Sequence, residues 1–341
     1  MIRASAPGRA GIIGNPTDGY GGTVVSTALA QRARARITPA DETVLTVCGE
    51  SARIADRRDL CLTGGYTDVA RAVLTTFDTA PGTQRSWVGR GFHLEADTEI
   101  PMRAGLAGST AMLVAILGAL LRWIELPLNR WEMAEAARKI EFEVMKVTCG
   151  FQDQYMAVFG GLNCMDFRGK EPGRETPDPI FATVEPLASY VPELPMLLAN
   201  TGVEHHSGSH HKPLRQRWIE GDRAVVEGYE RLQALAREGK KALLRADWEC
   251  LGAMMNEQHA IQRELGASPG LHPGEEANER LIRTALDIGA WGAKLAGAGG
   301  GGTIALLHPD PDGAAKQLMA AGAARVLTIQ PSEGLVVESE Y

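Results

Sequence analysis

Residues 101–111 read P-M-R-A-G-L-A-G-S-T-A and run directly into M-L-V-A-I-L-G-A-L-L at 112–121. In the second stretch Met112, Leu113, Ile116, Leu117, Leu120 and Leu121 fall at the i, i+1, i+4, i+5 spacing of a buried helical face. In the first, Ala104, Gly105, Ala107 and Gly108 are small enough to let backbone N–H groups approach an anion. The helix start behind them supplies unpaired donors and the positive end of the helix dipole. The segment therefore reads as a phosphate cradle. It has neither the G-K-[ST] of a Walker A loop nor the G-x-G-x-x-G of a dinucleotide fold. A plainer reading stands beside this one, in which the segment is a glycine-rich turn and Ser109 is the N-cap of the helix.

Two further glycine-rich segments lie on either side. Upstream, residues 6–22 read A-P-G-R-A-G-I-I-G-N-P-T-D-G-Y-G-G. Here Arg9 can pair with a phosphate or carboxylate and Asp18 can accept from hydroxyls, while structural turns explain the same glycines. Downstream, residues 294–307 read K-L-A-G-A-G-G-G-G-T-I-A-L-L. Apolar strand candidates flank this run where a linker would have polar flanks, which favours close backbone approach to a ligand or another loop. Glu141, in a second expected helix, and Asp153, in C-G-F-Q-D-Q-Y, add two carboxylates. Asp153 reads either as an N-cap or as a base or charge aligner beside a transferred phosphoryl group, and Glu141 either as a solvated helical acid or as part of that site.

The rest of the chain supplies the frame. Strands are expected at 2–6, 23–29, 33–39, 43–48, 91–96, 162–167, 196–200, 293–296 and 303–307, and helices from Ser109, over 130–144, from Gln152, through most of 214–265 and over 275–288. The charged, Pro- and Gly-rich run at 168–179 suits a surface connection between two units, dividing the chain into domains of about 1–170 and 180–341. With 341 residues, 44% hydrophobic and 23% charged, the chain can bury sizeable cores, and an α+β architecture of two domains is the expectation.

Composition excludes several classes. Lys plus Arg number 35 against 42 Asp plus Glu, a formal charge of −7, which argues against a general nucleic-acid binder. The longest apolar run, 111–121, is too short to span a bilayer, and no signal peptide is recognisable, so a cytoplasmic location is expected. The five cysteines are scattered without C-x-x-C, implying neither a disulfide framework nor a zinc site. His205, His206, His210 and His211 crowd one loop without acidic or cysteine partners, which suits a polar substrate-side loop better than a structural metal.

In order and spacing, the three glycine-rich segments resemble the motifs of the GHMP kinases. Within that family, G-N-P-T-D-G-Y-G-G (14–22), G-L-A-G-S (105–109) and G-F-Q-D-Q-Y-M-A-V-F-G-G-L-N-C-M-D-F (150–167) are similar to the plant-type glucuronokinases, as is L-R-Q-R-W-I-E-G-D (214–222). The resemblance implies an N-terminal ribosomal-S5-like domain and a C-terminal ferredoxin-like domain, with ATP and Mg²⁺ as cofactors. It implies ATP contacts at Pro101, Ala104, Gly105, Leu106, Ala107, Gly108, Ser109 and Thr110, and metal contacts at Ser109 and Glu141. Asp153 and Arg9 would be catalytic, and Asp18, Gly21, Gly22, Arg215, Gly299 and Gly300 would meet the substrate. The implied activity is transfer of the γ-phosphate of ATP to a hydroxyl of a sugar or sugar acid, glucuronate first, by a monomer or homodimer binding neither nucleic acid nor membrane. Galactose, a heptose phosphate or mevalonate are the alternative acceptors, and a catalytically silent nucleotide and sugar sensor is the alternative class.

Overall fold

The computed structural model describes residues 1–78, 87, 90–172, 179–203, 214–266, 273–297 and 302–339. Among them, two sheets with helices packed against them give the expected two-domain α+β architecture. The first sheet is built on two long antiparallel strands, β1 (Ile2–Ile13) and β2 (Thr23–Pro39). Sequence patterning predicts two strands within 23–39, yet the structure has one. The register against β1 shifts between Arg9–Ala28 and Pro7–Arg32, a bulge at the expected break, but pairing resumes beyond it while the environment changes along the strand. Residues 23–29 are buried throughout, whereas A-R-A-R-I at 33–37 alternates, with Ala33, Ala35 and Ile37 facing the core and the arginines facing out.

β3 (Thr43–Val47), β4 (Glu50–Ile54), β5 (Phe92–Thr98), β6 (Leu162–Asp166) and β7 (Thr183–Pro186) extend this sheet. The strand at Val336–Ser339 returns to pair with β1, so the first sheet takes strands from both sides of the 168–179 connection. Helix α2 (Gly108–Trp123) packs on it, and helix α1 (Asp68–Thr76) packs against α2. Every residue of α2 from Thr110 to Leu121 is buried, as expected of a helix that is apolar all round and enclosed by its neighbours. Helix α3 (Arg130–Lys139) opens with a reciprocal cap between Asn129 and Glu132, and helix α4 spans Gln152–Phe159.

Strands β8 (Met196–Asn200), β9 (Gly292–Leu295), β10 (Thr303–Leu307) and β11 (Arg325–Thr328) form a four-stranded antiparallel sheet in the order β11-β8-β10-β9, and Val336–Ser339 is β12. Helices α5 (Arg223–Leu244), α6 (Trp248–Gly266), α7 (Pro273–Asp287) and α8 (Pro311–Ala320) complete this half. Its own core gathers Leu197, Ala199, Leu281, Ile282, Ala293, Ile304 and Leu306.

Candidate active site

The N-terminus of α2 opens into a cleft of about 910 Å³. The helix does not begin as its sequence suggests. Ser109 is its second residue, exposed, and the N-cap is Ala107, which adopts a left-handed φ of 58° and has no side-chain oxygen to offer. With the cap position given to an alanine, the first-turn N–H groups remain available to an anion. Ala104, Gly105, Leu106, Ala107, Gly108, Ser109 and Thr110 all line the cleft, while Pro101 lies just outside its lining.

Arg9 and Asp153 meet beside this loop. Arg9 Nε donates to Asp153 Oδ1 at 2.7 Å, and Nη1 donates to the Gly105 carbonyl at the same distance. The Arg9 side chain is 8% exposed and that of Asp153 25%, so the carboxylate keeps one open side toward the cleft. Asp153 is the second residue of α4, whose N-cap is Phe151, so the capping reading does not apply to it. The cap comes from a distant turn instead. Asp18 Oδ2 accepts from the Phe151 N–H at 2.7 Å and the Gln152 N–H at 2.9 Å, and Oδ1 accepts from Gln152 Nε2 at 3.2 Å. Gly150 makes this approach feasible, since a Cβ there would stand 1.9 Å from Asp18 Oδ2. Burial pushes the Asp18 carboxyl above its usual range and the Asp153 charge adds to this, against the two backbone bonds.

Glu141 sits where α3 widens into a π-helical turn, Ile140–Val144; the turn buries Glu141 and leaves Glu143 exposed. Thr110 Oγ1 donates to Glu141 Oε1 at 2.9 Å, and Gln154 Nε2 donates to Oε2. Burial is the main cause raising this carboxyl to about 7, with the Gln154 bond opposing it and Asp153 adding to it. Gln154 Oε1 is buried without a hydrogen-bond partner among the described residues. Carboxylate, hydroxyl and orphaned carboxamide oxygens, with Ser109 exposed at the loop, make a hard oxygen donor set of the kind Mg²⁺ takes alongside phosphates. Thr110 is expected as an ATP contact, but its bond to Glu141 and the part played by Gln154 are not legible from motif spacing, because Glu141 lies in another element.

Arg215 also lines the cleft, its guanidinium 5.2 Å from the centre of the Phe142 ring. Behind it Tyr20, another lining residue, packs on Tyr229 with ring centroids 4.2 Å apart and on Trp218 at 5.6 Å. Gly21 and Gly22 do not line the cleft. Gly21 has a left-handed φ of 72°, and a Cβ on Gly22 would strike Thr17 at 2.4 Å, so both serve the turn. Gly299, Gly300 and the four clustered histidines lie outside the described residues. Gly297, the last described residue of that glycine run before them, lies against the loop before α2, where an added Cβ would be 3.1 Å from Gly105 Cα. The three glycine-rich segments thus converge on one place.

A second groove, of about 610 Å³, crosses the outer face of the first sheet. Its arginines are engaged within the fold: Arg34 with Glu99 at 2.6 Å, Arg36 with Glu95, and Arg32 with the carbonyls of Ser5 and Gly334. Among the described residues no helix is long and apolar enough to cross a membrane.

Comparison with known proteins agrees with this geometry. The family description "GHMP kinases N terminal domain" matches residues 66–161, and "GHMP kinases C terminal" matches residues 240–324. The chain is 28% identical over 211 residues to a D-glycero-alpha-D-manno-heptose 7-phosphate kinase of Campylobacter jejuni, covering 62% of this chain and 59% of that one. It is 31% identical over 212 residues to glucuronokinase 1 of Arabidopsis thaliana, covering 61% and 56%. The chain thus spans less than two thirds of the length of these relatives. A D-glycero-D-manno-heptose 1-phosphate kinase from Bacteroides thetaiotaomicron shares the fold over 100% of both chains, with a TM-score of 0.74 at 21% identity. Two matched domain descriptions, the shared fold and three glycine-rich segments meeting at one cleft lead to the same conclusion: the chain belongs to the GHMP kinases.

Proposed function

We propose that the protein transfers the γ-phosphoryl group of ATP to a hydroxyl of a small anionic sugar, with glucuronate as the leading acceptor and a sugar phosphate as the alternative. The observation that carries this reading is the meeting of Arg9, Asp153 and the uncapped start of α2 in one cleft, with Arg215 also lining it. Phosphoryl transfer asks a protein mainly for alignment and charge neutralisation. The first-turn N–H groups of α2 and the small residues at 104–108 hold the phosphates. Arg9, anchored on Gly105 and Asp153, adds a fixed cation beside them. Asp153, oriented through one oxygen by Arg9, accepts a hydrogen bond from the acceptor hydroxyl and aligns it, and takes its proton as the bond to phosphorus forms. Asp18, buried at the start of α4, fixes the acceptor side. Mg²⁺, when bound, neutralises charge on the phosphate oxygens, and Ser109 and Glu141 are the residues that would hold it.

Arg215 supports an anionic acceptor, because a guanidinium in a cleft offers two parallel donors to a carboxylate or phosphate and a neutral sugar needs none. The names of the relatives, a glucuronokinase and a heptose 7-phosphate kinase, fit that class. The test is a coupled ADP-release assay over uronates, sugar phosphates, neutral sugars and mevalonate, with the product's phosphorylated carbon identified by ³¹P–¹H NMR. Turnover with anionic sugars and a KM raised about 10-fold or more in Arg215→Ala is expected. Preference for a neutral sugar overturns the acceptor assignment, and nucleotide binding without turnover of any acceptor would make the protein a sensor.

A further inference from the structure

Outside the cleft, the first and third glycine-rich segments are joined by a buried polar knot. Asn15, 2% exposed, immediately precedes the turn that carries Asp18. Its backbone carbonyl accepts from Gln258 Nε2 at 2.8 Å and Gln262 Nε2 at 3.2 Å. Its side-chain Oδ1 accepts from Lys294 Nζ at 2.8 Å and from Gln258 Nε2 at 3.2 Å, and Gln258 Oε1 accepts from the Gly14 N–H at 2.7 Å. All these C-terminal partners come from two elements, α6 and β9.

Lys294 is the unusual member. It is fully buried, and its Nζ donates to two neutral oxygens, Asn15 Oδ1 and the Leu295 carbonyl at 2.9 Å. Among the described residues it forms no ion pair with an acid, and the charged or titratable groups facing it are Arg9 on β1 and His259 on α6. Burying an ammonium without an acid is unfavourable, and a methionine would fill the space at lower cost. Stability therefore does not account for a lysine here; its reach and its donors do. Burial, with Arg9 adding, lowers Lys294 to about 7. A neutral amine still has two N–H donors, enough for both oxygens, so the joint does not depend on the charge.

The position of the joint gives it a task. On one side, Asn15 leads into Thr17–Tyr20 and so to Asp18, which is bonded to the start of α4 one residue before Asp153. On the other, Lys294 lies near the end of β9, and the chain continues from it to Gly297, which is packed on Gly105 of the loop before α2. We propose that Lys294 is a positioning residue, which ties the glycine run of the C-terminal half to the Asn15 turn and so sets the spacing between the phosphate loop and the acceptor-side acid. This rests on the reading of Asp18 as an acceptor-side group.

The test uses the full chain with Lys294→Met, Asn15→Ala, their double variant and Asp18→Asn. Lys294→Met should keep or raise the melting temperature and hold an ATP analogue within about 3-fold of wild type, yet lose about 10-fold or more in kcat/KM for the acceptor. Amides of residues 14–20 should exchange faster, with those of α2 unchanged. The double variant should be no worse than the weaker single one, since both remove the same bond. Wild-type acceptor kinetics in Lys294→Met, or losses in every parameter that track a lower melting temperature, overturn the proposal. If Asp18→Asn impairs the acceptor while Lys294→Met does not, Lys294 alone is refuted; if Asp18→Asn leaves acceptor KM and kcat unchanged, the acceptor-side reading falls and the proposal with it.

Discussion

Replacing Asp153 by Asn separates chemistry from architecture, because the structure predicts a different size for each. The Arg9–Asp153 contact is 2.7 Å, with side chains 8% and 25% exposed. Coulomb's law at that distance gives about 1.5 kcal/mol in a water-like dielectric and about 6 kcal/mol at an effective dielectric of 20. Asp153 is partly solvated and Arg9 keeps its bond to the Gly105 carbonyl, so the net loss belongs near the lower figure, about 2 kcal/mol. For a chain of this size that lowers the melting temperature by a few degrees, to be read by differential scanning fluorimetry. The catalytic loss is larger. Asn keeps the shape but cannot accept the acceptor's proton or hold Arg9 as an ion pair, and turnover should fall about 100-fold or more with ATP affinity within a few-fold. Turnover within a factor of about three of wild type, accompanied by the expected small drop in melting temperature, would refute the catalytic role and leave Asp153 as an anchor for Arg9.

Glu141→Gln should stabilise the protein in a pH-dependent way. The native carboxyl is raised from 4.5 to about 7, so folding retains its proton and wild-type stability is lost as pH rises through that window. The variant's advantage should be absent below about pH 4.5, grow up to pH 7 and level off at no more than ~3 kcal/mol, while its Mg²⁺ requirement rises; a pH-independent difference in urea midpoints refutes this. Ala107→Gly should raise stability by about 1 kcal/mol, because glycine adopts the left-handed cap without strain, and a lowered melting temperature would contradict that. Gly150→Ala should raise the acceptor KM more than the ATP KM, since the methyl group displaces Asp18 from the start of α4; equal effects on both would indicate general disruption.

What was legible in the sequence is what local chemistry determines. The period of α2 and the small residues before it announced a helix with an accessible N-terminus, because both signals are carried by neighbouring residues. Asp153 was found beside Arg9, and Asp18 in the cleft lining. The capping assignments failed for a common reason. Ser109 and Asp153 are good capping residues by type, but the caps are set by tertiary contacts: Ala107 is held left-handed at one helix start, and Asp18 reaches across from another segment at the other. The Thr110–Glu141–Gln154 cluster and the Asn15–Gln258–Lys294 joint have no local signature, since their members are brought together only by sheet topology and helix packing. The single strand at 23–39 was hidden by its register shift and change of environment midway, which look like a break to any reading based on periodicity.

The pairing of β12 with β1 has a consequence for how the molecule is made. Ile2 lies opposite Ser339 and Ser5 opposite Val336, so one edge of the first sheet is covered by a segment synthesised long after the strand it protects. During translation the Ile2–Ser5 end of β1, whose partner β2 follows at once, waits with a bare row of N–H and C=O groups on its other side, the template that invites strangers to pair. Arg3 stands in that waiting segment and Pro7 just beyond it, both residues that discourage edge-to-edge association. Arg9 is farther along the same strand, so the cation of the cleft is carried by a strand whose edge closes late. Folding of the first sheet is therefore non-local in sequence, and slow closure of this edge is the kinetic signature to expect.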